Sequence, residues 1–294
     1  MTYNTSIVKK GVDAKFHKAY KLMQEQPYLL ALASLFMKAP STGASEEYVW
    51  LGDVPGVREW IGNKVFKGLK DYDYTIKNKD WYNGFSIDRN ELADEKIQGI
   101  MPRVEMLAQS LAKFPAELII DLITGGDSGL AYDGLPFFSN ASGVRTNDNL
   151  LAGSGVTSDN IKANITSART AMMKFTSDSG RVMGLLMDTI VCPPELEATF
   201  LELTTSVVGE ATARPAANWI KNVIVCPELT DTGDWYGFAA GSAIKPFIYQ
   251  ERTGVKTEID DSEVKKNRKI NYSAEARGNA GYGFPQMAIK VVNS

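Results

Sequence analysis

The 294 residues are 44% hydrophobic and 23% charged, and 32 Lys and Arg against 35 Asp and Glu leave a net charge of -3. This is an ordinary globular composition, with room for one large domain or two medium ones. It excludes a sequence-specific nucleic-acid reader, because no stretch concentrates basic residues on the scale that neutralising many phosphates needs; a container touching enclosed DNA weakly needs far fewer.

From Val12 the apolar residues Val12, Phe16, Ala19 and Met23 recur at helical spacing, with Lys15, Lys18 and Lys21 between them, until Pro27 interrupts the pattern. The face is too narrow to build a core alone, so this amphipathic arm is expected to lie on the rest of the molecule or on a neighbour. Tyr28 to Met37 is apolar but far short of the roughly 20 residues a bilayer span requires. The start of the sequence carries no export signal, which leads to an expectation of a cytoplasmic product. Ala39 to Glu47 reads as a polar, turn-rich connector.

Between Tyr72 and Asp88 the period falls to two, with Tyr74 and Ile76, then Phe85 and Ile87, around the polar centre Lys77, Asn78, Lys79 and Asp80. The pattern predicts a long β-hairpin whose aromatics, Trp81 and Tyr82 among them, need a covering surface. From Pro102, the residues Val104, Leu107, Leu111, Phe114, Leu118, Leu122 and Ile123 hold one helical face until Gly125-Gly126. Such a helix is roughly 34 Å long at 1.5 Å per residue, with a kink or break expected at Pro115. A Gly/Ser/Asn-rich stretch from Ser139 to Gly155 follows. Ser158 then caps a helix bearing Ile161, Ile165, Ala168 and Met172. Next come a strand over Met183 to Val191 and a helix opened by Pro193-Pro194, with Leu196, Phe200, Leu203 and Val207. Strands at Ile220 to Val225, Trp235 to Ala240 and Ile244 to Gln250 complete an α/β lobe. The last part holds a charged segment from Val255, a strand near Ile270 to Ala276, a glycine turn at Arg277 to Gly283, and a strand at Met287 to Val292.

Few residues suggest chemistry. Cys192 and Cys226 each precede a proline at the end of an apolar run and read as buried thiols; a disulfide or a metal site is the weaker alternative. With one histidine, His17, no zinc set can be assembled and no metal is expected. Gly126-Asp127-Ser128-Gly129 resembles a hydrolase nucleophile loop, but Ser128 would need a positioned base, and His17 sits among lysines of the arm. The bland alternative is a turn ending the long helix. Asp94-Glu95 and Asp260-Asp261 read as solvated turns, and the acidic run Asp260 to Glu263 before Lys265-Lys266 and Arg268-Lys269 as an exposed or subunit-bridging segment. Gly278 to Gly283 lacks the spacing and the downstream acid of a dinucleotide site, so no cofactor is expected. Asn140-Ala141-Ser142 has the form of a glycosylation acceptor, which would matter only in a secreted chain.

Several ordered strings resemble the Mu-like major head subunits of tailed phages. They are YVWLGDVPGVREWIG from Tyr48 to Gly62, YTIKNKDW at Tyr74 to Trp81, SIDRNELADEKIQGI at Ser86 to Ile100, YDGLPFFS at Tyr132 to Ser139, KPFIYQER at Lys245 to Arg252, and ARGNAGYGFPQMA at Ala276 to Ala288. Two departures are local. Ser139-Asn140-Ala141-Ser142 stands where the family often has an Asp/Thr/His/Pro-type turn, and Pro285 where it often has tryptophan. The resemblance implies a non-enzymatic α+β protein with the major capsid fold of tailed phages and herpesviruses. It implies an N-terminal arm (1–48), an E-loop and its base (49–92), a P-domain (93–155 and 246–294, spine helix near 102–124) and an A-domain (156–245). It further implies hexamers and pentamers of this chain forming an icosahedral head in the host cytoplasm around double-stranded DNA, which is touched non-specifically. The partners implied are portal and decoration proteins. A separate scaffold protein is expected because the chain opens without a long charged helix, and no membrane is involved. Trp50, Arg58, Trp60, Trp81 and Tyr82 are the candidate intersubunit anchors, since aromatics and Arg dominate interface energy, with intrachain packing as the alternative. The rival functions are an encapsulin-like compartment shell and a serine hydrolase at Ser128.

Overall fold

The computed structural model describes residues 5–48, 74–88, 97–140, 145–177, 180–204, 219–260, 262 and 268–293. Its longest helix, α3 (Ile97–Thr124), has 28 residues and is therefore about 42 Å long. It begins ahead of Pro102 and runs without a break through Pro115. The proline removes one N–H, so the Leu111 carbonyl has no intrahelical donor there, yet packing on both sides keeps the rod continuous.

The two halves of α3 build two different cores. Its first half, through Val104, Leu107 and Leu111, packs against Val12 and Phe16 of α1 (Thr5–Gln24) and against Ile87, Tyr272 and Ala274. The basic arm therefore lies on its own chain, as its narrow apolar stripe requires. The second half, through Ala116, Ile119, Ile120 and Ile123, packs against Leu29 and Leu32 of α2 (Pro27–Ala33) and against Phe137, Phe138, Tyr236 and Phe247. The sequence pattern did not separate α2 from the apolar run around it. Pro27 supplies the missing signal, since it stands at the first helical position after extended Gln26.

Two larger sheets carry the rest. One has the order β1-β9-β10-β4, formed by β1 (Phe36–Pro40), β4 (Lys79–Asp88), β9 (Phe247–Asp260) and β10 (Lys269–Tyr282), with β1 parallel to β9 and the other pairs antiparallel. The second has the order β5-β11-β8-β6-β7, formed by β5 (Leu150–Ala152), β6 (Thr189–Cys192), β7 (Asn222–Val225), β8 (Trp235–Phe238) and β11 (Ala288–Val292). One face of this sheet, including Val191, Tyr236 and Ala288, meets the α3 core. The other, including Ile190, Trp235, Ile289 and Val291, is covered by Ile161, Ile165, Ala168 and Met172 of α4 (Ser158–Lys174) and by Phe200 and Leu203 of α5 (Glu197–Thr204).

Several sequence expectations are corrected. The strands at 72–88 do not form a hairpin with each other: β3 (Thr75–Lys77) pairs with β2 (Ser45–Glu47), and β4 pairs with β10. Asn78 alone separates β3 from β4, too short a link for a reversal, so the chain continues and changes sheet. The supposed connector 39–47 contains part of β1 and all of β2, and its turn closes on Glu46, whose carboxylate accepts from Ser41 Oγ (2.8 Å), Thr42 N (2.7 Å) and Gly43 N (2.9 Å). The glycine turn at 277–283 lies mostly inside β10; Gly278 is needed because a Cβ there would sit 2.4 Å from the Gln250 carbonyl oxygen. The charged segment after Val255 begins as the outer half of β9. The cap of α4 is Thr157 rather than Ser158. The strand expected over 183–191 begins only at Thr189, because Gly184 turns with φ +64° and the Asp188 carboxylate accepts from Ala240 N (2.9 Å) and Gly241 N (2.8 Å).

One ionic joint ties the end of α3 to the five-stranded sheet. Lys290 of β11 is buried, with Nζ 2.7 Å from Asp127 Oδ2 and 3.2 Å from Asp234 Oδ2. Burial pulls its pKa down, but Asp127, Tyr236 and Asp234 outweigh that and hold it above the usual lysine value. Replacing Lys290→Ala leaves Asp234 buried beside an empty position and is expected to cost about 3 kcal/mol. Urea unfolding of the unassembled subunit measures this; a loss below about 1 kcal/mol would contradict the assignment.

Candidate functional site

The candidate surface is the open side of the β4-β10-β9 ribbon. Alternation along β4 sends Trp81, Asn83, Phe85 and Ile87 toward α3, and Asp80, Tyr82, Gly84 and Ser86 away from it. On the inner side the Trp81 ring meets Phe114 at 4.7 Å, and its indole N–H donates to the Gly278 carbonyl at 2.9 Å. Asn83 donates to Ser110 Oγ at 3.3 Å, and Phe85 lies 5.8 Å from Tyr272. Trp81 is thus half-buried and occupied within its own chain.

Tyr82 has the opposite environment. It is 82% exposed, the highest value among the exposed large hydrophobic side chains. Register places it beside Glu275 of β10, which in turn faces Lys256 of β9. The next row sets Asp80 beside Arg277, joined at 3.0 Å. A shallow groove of about 330 Å³ runs between these rows. The outer face therefore presents alternating charge around one projecting phenol. Trp50, Arg58 and Trp60 lie outside the described residues, as do Asp94-Glu95, Asp261 and Lys265-Lys266.

Among the described residues the catalytic alternative finds no constellation. Ser128 donates to the Gly125 carbonyl at 3.3 Å in the 3-10 turn that ends α3. His17 is exposed on α1, next to Phe16, which packs with Leu107; Ser128 lies beyond the other end of the helix, roughly 30 Å further along at 1.5 Å per residue. The thiols are poor nucleophiles: burial, aided by Glu197, pushes Cys192 up to about 12, and burial together with Glu228 pushes Cys226 up to about 11. Both cysteines are free, on adjacent strand ends linked by a Cys226 N to Cys192 O bond of 2.9 Å. Among the described residues no group of His, Cys, Asp and Glu could hold a metal ion, and no helix is long and apolar enough to cross a membrane.

Sequence reasoning missed the buried polar joints. Arg145 grips Asp133 with two bonds (2.7 and 2.8 Å) and reaches the Phe137 carbonyl at 2.8 Å, and Asn149 crosses to the Pro285 carbonyl at 3.1 Å. The one legible signal was Lys290, a cation in an otherwise apolar strand. The different surroundings of Trp81 and Tyr82 have a measurable consequence. Trp81→Ala is expected to cost the isolated subunit about 2 kcal/mol, whereas Tyr82→Ala leaves it unchanged within about 0.5 kcal/mol. Thermal melts of the two variants read this directly, and equal losses would refute the two-sided description.

The family model described as Mu-like prophage major head subunit gpT matches residues 6–161, 155–229 and 217–294. The chain is 27% identical over 255 residues to the Mu-like prophage FluMu major head subunit of Haemophilus influenzae, covering 85% of this chain and 62% of that protein. It is 26% identical over 259 residues to the major capsid protein of Escherichia phage Mu, covering 87% and 64%. It therefore spans a little under two thirds of the length of these curated relatives. Among solved structures, the procapsid of bacteriophage JBD30 matches with TM-score 0.57 at 21% identity, over 98% of this chain and 76% of that one. The virus-like particle of Pyrococcus furiosus matches with TM-score 0.60 at 10% identity, over 99% and 100%. Those two likenesses establish the fold, the α+β fold of phage capsid proteins, while the family match distinguishes among the shells that share it. The chain belongs to the Mu-like prophage major head subunit gpT family.

Proposed function

We propose that this chain is the shell-forming subunit of a tailed-phage head, assembling as hexamers and pentamers into an icosahedral container for double-stranded DNA in the host cytoplasm. The observation that carries the reading is the family match along nearly the whole chain, joined to the likeness of its fold to a procapsid subunit. The work of such a subunit is physical: repeated self-complementary contacts, each modest, closed by symmetry.

In this reading α1 and the segment up to residue 48 are the arm, α3 is the spine of the P-domain (93–155 and 246–294), and α4, α5 and β6 to β8 belong to the A-domain (156–245). The β2-β3 ribbon brings Tyr48 N to 2.8 Å from the Tyr74 carbonyl, which makes it the natural base of an E-loop within 49–92. Tyr82, and with it Trp50, Arg58 and Trp60, serve as contacts between subunits, while Trp81 holds β4 in place. Scaffold, portal and decoration proteins are the further partners of such a shell, and the mature product resides in the virion.

Electron microscopy of the purified chain is the direct test: hexamers, tubes or shells support the reading, and a persistent monomer labelled at Ser128 by a serine-directed phosphonate would replace it with the hydrolase alternative. Small closed shells that capture an enzyme would favour the compartment alternative. Tyr82→Asp is expected to raise the concentration needed for assembly roughly tenfold or more while leaving the subunit's melting temperature unchanged. Light scattering against concentration checks it, and unaltered assembly would remove Tyr82 from the contacts.

A further inference from the structure

The solvent side of α1 carries a row of basic side chains. Lys10, His17, Lys18 and Lys21 are exposed, whereas Val12 and Phe16 on the opposite side enter the α3 core. At 3.6 residues per turn, Lys10, His17 and Lys21 fall on one stripe roughly 16 Å long, with Lys18 at its flank. The one acidic residue of α1, Asp13, is turned inward: its Oδ1 accepts from Thr257 Oγ1 at 3.1 Å and from the Tyr272 hydroxyl at 3.2 Å. Lys15 lines a groove with Lys18 and Leu22 and pairs there with Glu105. Glu25, just past the end of α1, is the nearest exposed carboxylate of this segment.

This segregation has a cost. Like charges three and four residues apart destabilise a helix, and interspersed signs would serve solubility better. Gly11 and Ala14 stand among the lysines, and one large apolar side chain, Leu22, 53% exposed, flanks the row beside Lys18. A regular polyanion needs no anchor, since attraction comes from displaced counterions, and small side chains let its backbone approach.

We propose that Lys10, Lys18 and Lys21 form a phosphate-contact surface for double-stranded nucleic acid; the inference rests on the head-shell reading, which makes the enclosed duplex its ligand. Three phosphate contacts correspond to a salt slope of about -2.7, or roughly 40-fold weaker binding between 50 and 200 mM salt. Contacts of that strength hold a duplex against the wall without fixing its sequence or stopping its movement.

The test uses the full chain, a variant with Lys10→Gln, Lys18→Gln and Lys21→Gln, and a second with arginine at the same positions, each checked by thermal melting. Fluorescence anisotropy of a mixed-sequence duplex is recorded as salt rises. The glutamine variant is expected to flatten the salt slope by about 2 to 3, and the arginine variant to keep it. An unchanged slope in the glutamine variant overturns the inference. So does a lysine-dependent affinity for a polyglutamate probe with none for the duplex, which would mark the stripe as a protein contact. Microscopy of the same samples separates the two readings: shells with a lysine-independent slope sink this inference alone, whereas a lysine-dependent slope in a chain that never assembles supports the surface and sinks the head-shell reading.

Discussion

Two of the cores of this subunit depend on one rod. The helix α3 gives its first half to the arm and the β4-β10 ladder and its second half to α2 and the five-stranded sheet, so neither core is complete without it. An isolated helix of this composition would be marginal, and its stability comes from apolar surface buried on opposite stretches of its length. The two cores are in turn coupled through its rigidity. Pro115 lies near the boundary between them, where one backbone bond is missing and packing alone maintains the rod.

Polar groups complete what apolar packing begins. Lys290, Asn149 and Asp188 sit where elements distant in sequence converge, and each satisfies several backbone or carboxylate partners. Such groups add little net stability over apolar substitutes, but they penalise any other arrangement of the same elements. In the proposed role that matters, since every copy in a shell must present the same outline.

The sequence revealed most where periodicity extended over several turns. The helices α1, α3 and α4 were legible because Val12 and Phe16, Val104 to Ile123, and Ile161 to Met172 repeat at helical spacing over a buried face. Strand identity was legible too, but strand partnership was not: nothing local to Tyr74 or Phe85 announces that one strand turns to Ser45–Glu47 and the other to Lys269–Tyr282, almost two hundred residues on. The glycines of β10 misled for a related reason. They are demanded by the neighbouring strand, which a single-chain pattern does not display. At the candidate site, Trp81 and Tyr82 looked alike as aromatics, and only the parity of β4 against α3 tells them apart. The ordered strings that named the family carried more than any site, since in the proposed role the contacts are spread over a surface and leave no compact motif.

The alternation along β4 also has a consequence for how such a chain changes over time. Residues that hold the strand on its helix and residues that meet the outside occupy interleaved positions, so a mutation at 80, 82 or 86 alters the outer chemistry while the packing beneath is untouched. In the proposed role, related subunits can thereby exchange contact partners one substitution at a time while the packing of β4 on α3 is kept. The same geometry forbids the shortcut of a single-residue insertion within the strand, which would exchange the two sets of side chains at one stroke.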